Sequence, residues 1–307
     1  MAIGALVVLN AVLIFMLLRP PEPPASDPLP DFTPEPATTS ASAGTKVPPG
    51  GTTSPEPAPD ATTGAPAQVG AQPAQRLLAA STEAVAWRAS TGDCEAPAVL
   101  EYTEDGGATW SAREPGVTPV SRMKVQSGSA MFVIGGTDGC SPTYRSTSNA
   151  GVTWSTADEY LGGSWFLLPA DRTRMSAPAG EVPVPCEGEP VGLAGLDAER
   201  AAVLCTDGTL QLTSDGGSTW AAAGSTPGAL ALGLRPDGYV LATASPDCAG
   251  VEVRLPDAAG AGLDDAAGCA PAAQAEPGQV AVSATWDTVW LWSGDEVLVS
   301  ADAGQTW

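Results

Sequence analysis

An all-β chain folded as a β-propeller of about five four-stranded blades is the architecture this sequence predicts, on three observations. One octapeptide occurs four times: TEDGGATW at 103–110, TSNAGVTW at 147–154, TSDGGSTW at 213–220 and SADAGQTW at 300–307. Its closing tryptophans lie 44, 66 and 87 residues apart, a period of about 44 with one insertion and one doubled interval, and about 40–50 residues is the length of a four-stranded blade. Short runs rich in Val, Trp and Leu lie between the copies, as in VAVSAT, TVWLWS and EVLVSAD before the last one. They alternate with period two and are separated by tight turns, as half-buried strands do.

Residues 1–18, MAIGALVVLNAVLIFMLL, are uncharged and apolar apart from Asn10, and at about 1.5 Å per residue such a helix just reaches across a hydrocarbon core. We expect a transmembrane signal anchor. A cleaved leader is the alternative, but no A-x-A-like cleavage site follows. Residues 19–75 hold 15 of the 30 prolines among Thr, Ser, Ala and acid. Such a segment cannot bury enough apolar surface to offset its ordering entropy, and the expectation is a disordered, extended spacer. This composition is that of a bacterial surface protein.

Residues 76–307 make the propeller. Three strands precede each octapeptide, and the octapeptide is the hairpin into the fourth. On that template the blades are 77–115, 119–160, 191–224, 229–262 and 279–307, the fourth ending in a degenerate copy that has lost its Asp, Thr and Trp. In the hairpin, Asp105, Asp215 and Asp302 accept backbone N–H groups of their own turn, Asn149 substitutes through its amide oxygen, and Gly107, Gly151, Gly217 and Gly304 permit positive φ. Trp110, Trp154, Trp220 and Trp307 start the outer strand and bury between blades. Full burial of about 200 Å² would stabilise by up to roughly 5 kcal/mol, so the octapeptide reads as a brace rather than a binding site.

The octapeptide resembles the Asp-box, or BNR repeat, of sialidases, of the luminal domains of sortilin-type receptors and of Ycf48-like photosystem assembly proteins. The resemblance spans about 230 residues. For a sialidase it would imply six blades, an arginine triad, a Tyr–Glu nucleophile pair and an Arg-Ile-Pro sequence. The sequence has no Arg-Ile-Pro, and Tyr102, Tyr144, Tyr160 and Tyr239 stand without a matching constellation. The Ycf48-like members make an assembly role plausible by resemblance.

Six cysteines lie beyond residue 18 with no C-x-x-C spacing, which suits disulfides in an oxidising compartment better than metal. Cys94, Cys140, Cys205 and Cys248 fall between the second and third strands of a blade, and Cys186 and Cys269 fall in connections between blades. Both kinds of connection share one face, and the expected pairs are Cys94–Cys140, Cys186–Cys205 and Cys248–Cys269.

The net charge of −22 repels nucleic acid. The chain has no histidine, hence no ordinary general base near neutral pH and no imidazole metal ligand. We expect no cofactor, no metal and no catalysis. Recognition is assigned to the long insertion between the second and third blades, with Trp165, Phe166, Arg172 and Arg174 as an aromatic and cationic patch on the face opposite the octapeptides. The expected function is a membrane-tethered, extracytoplasmic protein-binding or assembly module for another envelope protein. Glycan binding or sialidase-like hydrolysis is the alternative.

Overall fold

The computed structural model describes residues 71–96 and 98–307. The anchor and the linker up to residue 70 lie outside the described residues. No helix among the described residues is long and apolar enough to cross a membrane.

The described chain forms six antiparallel sheets. The first contains β1 (Arg76–Ala80), β2 (Ala86–Ser90), β3 (Val99–Thr103) and β4 (Ser111–Arg113); the second contains β5 (Val120–Val125), β6 (Met131–Gly136), β7 (Pro142–Thr147) and β8 (Ser155–Thr156). The third is β9 (Phe166–Leu168), β10 (Asp171–Ala177) and β11 (Gly180–Pro183). The fourth is β12 (Gly192–Gly195), β13 (Ala201–Leu204), β14 (Thr209–Thr213) and β15 (Ala221–Ser225). The fifth is β16 (Ala229–Arg235), β17 (Gly238–Thr243), β18 (Val251–Arg254) and β19 (Ala266–Ala270), and the sixth is β20 (Val280–Ala284), β21 (Val289–Ser293) and β22 (Glu296–Ser300). Successive sheets pack on one another, and the sixth packs on the first through β20 against β1. The ring is a β-propeller of six blades, not the five expected.

The additional blade, third in chain order, is the insertion. Its backbone does not stay in a surface loop, because its three strands and the residue that follows them bury Leu167, Met175 and Val184 against Val203 and Cys205 of the next blade. The hairpin between β10 and β11 sits where the others place an octapeptide: the Ala179 N–H donates to Gly216 O at 2.9 Å. Counting from that hairpin, β9, β10 and β11 hold the second, third and fourth positions of a blade. The first position has no strand, since residues 157–165 form turns and a short 3₁₀ segment, Asp158–Tyr160.

The fifth blade corrects a second expectation. Its third strand leads into a loop in which the Ala261 N–H donates to Asp257 Oδ1 at 3.0 Å, matching the Thr109 N–H to Asp105 Oδ1 at 2.9 Å in the first octapeptide. The degenerate copy has therefore kept its aspartate, Asp257, and has Leu255, Ala259, Ala261 and Gly262 where the first copy has Thr103, Gly107, Thr109 and Trp110. The blade also runs further than 262, and Cys269 lies within β19 rather than in a connection.

Strand alternation sends all octapeptides to one face and the cysteines to the other. Cys94 is bonded to Cys140 and Cys186 to Cys205, each bond tying two neighbouring blades, and Cys248 is bonded to Cys269 within the fifth. Residues 71–75 cross the cystine face, with the Ala74 N–H on Val191 O at 2.9 Å and the Gln75 N–H on Gly278 O at 3.0 Å. The end of the spacer, residues 71–75, thus belongs to the ring.

Candidate functional site

The four octapeptides share one hydrogen-bonded turn. In the first, Thr109 donates through its N–H to Asp105 Oδ1 at 2.9 Å and through its hydroxyl to Oδ2 at 2.6 Å, while the Thr103 hydroxyl donates to Oδ1 at 2.8 Å. The Gly107 N–H in turn donates to Thr103 Oγ1 at 3.1 Å. Asp215 and Asp302 repeat the arrangement, the latter with Ser300. Hydrogen bonds to the ionised form lower a carboxyl pKa. Those from Thr109, Thr219 and Thr306 hold Asp105, Asp215 and Asp302 down at about 2. Asn149 keeps the geometry with reversed polarity on one side: its Nδ2 donates to Thr153 Oγ1 at 2.9 Å. The buried hydroxyl that opens each turn, Thr103, Thr147, Thr213 or Ser300, organises it as much as the acid does, although sequence reasoning gave it no role.

The glycines answer to two constraints at once. Gly107, Gly151 and Gly217 have φ of +87°, +77° and +91°, and a Cβ on each would meet the indole of Trp290, Trp87 or Trp165 at 3.0–3.3 Å. Those indoles come from the preceding blade. Trp110 meets Trp290 edge-on at 6.4 Å, Trp154 meets Trp87 at 6.2 Å and Trp220 meets Trp165 at 6.0 Å. The octapeptide tryptophans are only half-buried. The fully buried partners, Trp87, Trp165 and Trp290, carry more of the apolar stabilisation.

The four insertion residues do not form a patch. Trp165 and Phe166 are 2% and 3% exposed, Trp165 donating its Nε1–H to Asp197 O at 2.6 Å and Phe166 packing on Phe132, Ile134 and Tyr144. Arg174 pairs with Glu181 at 2.8 Å and Arg172 approaches Glu189 at 3.6 Å. The aromatics left the surface because the insertion is a blade and needs a core.

The concave feature is instead axial. A cavity of about 450 Å³ runs between β1, β5, β12, β16 and β20, the five innermost strands. Its wall includes half-buried leucines, the hydroxyls of Ser81, Ser121 and Thr285, and the basic residues Arg76, Arg122, Lys124 and Arg235, with no Asp or Glu among the described residues. Ala74 lies at the cystine-face end, and Gln126, Pro236 and Trp286 lie at the octapeptide-face end. Trp286 is 66% exposed. Arg235 is neutralised by Asp237 at 2.6 Å, and Arg76 lies over the Trp292 ring, bonded to the carbonyls of Gln279 and Gly294. Arg122 and Lys124 extend from β5 across the place where the third blade lacks a first strand. Arg122 donates to Trp165 O at 2.8 Å and to Gly195 O at 3.1 Å, and Lys124 donates to Leu196 O at 3.0 Å. Burial lowers both pKa values, that of Arg122 to about 10. Sequence reasoning missed both residues, since RMK inside one strand carries no motif. Among the described residues no group of three or more His, Cys, Asp or Glu side chains is gathered for a metal.

No family profile matches this sequence, and no curated protein matches it. Solved structures do resemble it. A structure titled YCF48 bound to D1 peptide is 18% identical, covering 78% of this chain and 82% of its own, with a TM-score of 0.30. The SapL1 lectin in complex with alpha methyl fucoside is 14% identical over 76% of this chain and 97% of its own, with a TM-score of 0.44. A GH74 enzyme of Niastella koreensis is 13% identical over 73% of this chain but 36% of its own, with a TM-score of 0.36. Likenesses this distant do not bear on function, and the six sheets themselves define the architecture.

Proposed function

We propose that this chain is a non-catalytic binding module of a bacterial cell envelope, held in the cell membrane by residues 1–18 with its propeller on the extracytoplasmic side, where it docks another envelope protein. In this reading the octapeptides are Asp-boxes that brace the blades. The observation that supports the non-catalytic assignment is the wall of the axial cavity, which among the described residues brings in cations, hydroxyls and leucines but no carboxylate. Glycoside hydrolysis takes two carboxyl groups about 5–9.5 Å apart across the scissile bond. The octapeptide acids are committed to their own turns at the rim. Three disulfides suit an oxidising compartment.

Carbohydrate recognition is the second reading, favoured by Trp286, an exposed indole at the cavity mouth of the kind on which a sugar ring stacks. The test uses the full chain in its native membrane. External protease should remove the propeller from intact cells, and detergent-extracted chain should carry a stoichiometric envelope protein. Turnover of fluorogenic glycosides would overturn the non-catalytic reading, and a protease-protected propeller would overturn the placement.

A further inference from the structure

Arg122 and Lys124 stand two apart on β5 and so share one face of the strand. Their heads reach successive carbonyls, those of Gly195 and Leu196, which places two cations side by side. Guanidinium has five N–H donors and ammonium three. Arg122 spends two on carbonyls and Lys124 spends one. Both residues are half-buried and line the cavity, and among the described residues no further acceptor takes their remaining donors.

Neither cation has a carboxylate within 4.0 Å among the described residues, as is also true of Arg76, Arg113 and Arg145, whereas Arg88, Arg172, Arg174, Arg200, Arg235 and Arg254 each have one. Asp197, the carboxylate that acts on Lys124 through space, is already held by Arg200 at 2.5 Å. Two adjacent like charges away from bulk water are each disfavoured by burial and by the other, and an anion between them relieves both. Burial is the first cause of the depression at both groups, and Arg122 is the second at Lys124.

We propose that the axial cavity holds an oxyanion site built from Arg122 and Lys124 and entered from the octapeptide face, for a small carboxylate- or phosphate-bearing molecule. The volume of about 450 Å³ falls within the range of about 300–1,000 Å³ typical of small-ligand pockets. Residues 74–75 lie across the cystine-face end, so Trp286, Gln126 and Pro236 frame the entrance. The net charge of −22 opposes the approach of an anion only within a Debye length of about 8 Å at physiological salt, so the site discriminates by depth and donor geometry rather than by steering. This inference stands apart from the identity of the protein partner and does not depend on it.

Calorimetric titration of the full chain in detergent tests it, with inorganic phosphate, glucuronate and glucose as probes at constant ionic strength. Saturable binding of phosphate, of glucuronate or of both is expected, with none of glucose; which anion saturates identifies the chemistry. Lys124→Gln should weaken that binding about tenfold or more, the loss of a charge-assisted hydrogen bond, while leaving the melting temperature within a few degrees. Arg122→Gln also removes the contacts to the Trp165 and Gly195 carbonyls that join neighbouring blades, so Lys124→Gln is the deciding variant. No saturable anion binding, or binding that Lys124→Gln leaves unchanged, would overturn the site and leave the two cations as braces across the third blade.

Discussion

Asp105, Asp215 and Asp302 each satisfy a turn that would otherwise leave backbone N–H groups open, and Asn149 shows that the turn needs an acceptor more than a charge. Asp215→Asn should therefore lower the melting temperature less than Asp215→Ala, which leaves the Thr219 N–H without its acceptor; equal losses would refute that account. At Gly217, positive φ and the Trp165 indole at 3.1 Å act together, so even alanine is strained there. The buried indoles stabilise the ring more than the turns do. Trp290 is fully buried and donates its Nε1–H to Thr82 O at 3.0 Å, joining the last blade to the first. Trp290→Ala should cost about 3–5 kcal/mol in chemical denaturation, and a loss below about 1 kcal/mol would show that the closure does not depend on it.

At the scale of elements, the third blade was the hardest to read. It has no octapeptide, and a two-residue turn at Pro178 and Ala179 takes the place of one. No repeat therefore marked it, and its core aromatics, Trp165 and Phe166, looked like a surface patch in an otherwise polar insertion. A variant lacking residues 159–189 should fail to give a folded ring by circular dichroism and gel filtration, because β5 and β12 would lose the blade between them; a folded, monodisperse product would mean that the blade is dispensable. The disulfides act at the same scale. Removing the Cys186–Cys205 bond, whose partners are 19 residues apart, by a paired change to serine should cost about 3 kcal/mol, measured against the oxidised parent.

Across the whole molecule, the three octapeptide acids make stability depend on pH in a defined window. Their pKa values fall from 3.8 to about 2 on folding, so the folded state binds fewer protons there than the unfolded one. The stabilisation is complete above about pH 4 and is lost as pH falls through 3.8 toward 2. The triple change Asp105→Asn, Asp215→Asn and Asp302→Asn should flatten the fall in urea midpoint between pH 4 and pH 2, and an unchanged slope would place the acid sensitivity elsewhere. The sequence by itself determined the strand class, the four turns, and the faces on which octapeptides and cysteines lie, because these follow from local hydrogen bonding and from two-residue alternation. The number of blades, the burial of Trp165 and Phe166 and the pairing of Arg122 with Lys124 at the axis were decided only by tertiary structure. Each depends on which segments, far apart in the chain, meet when a closed ring must fill every gap between its blades.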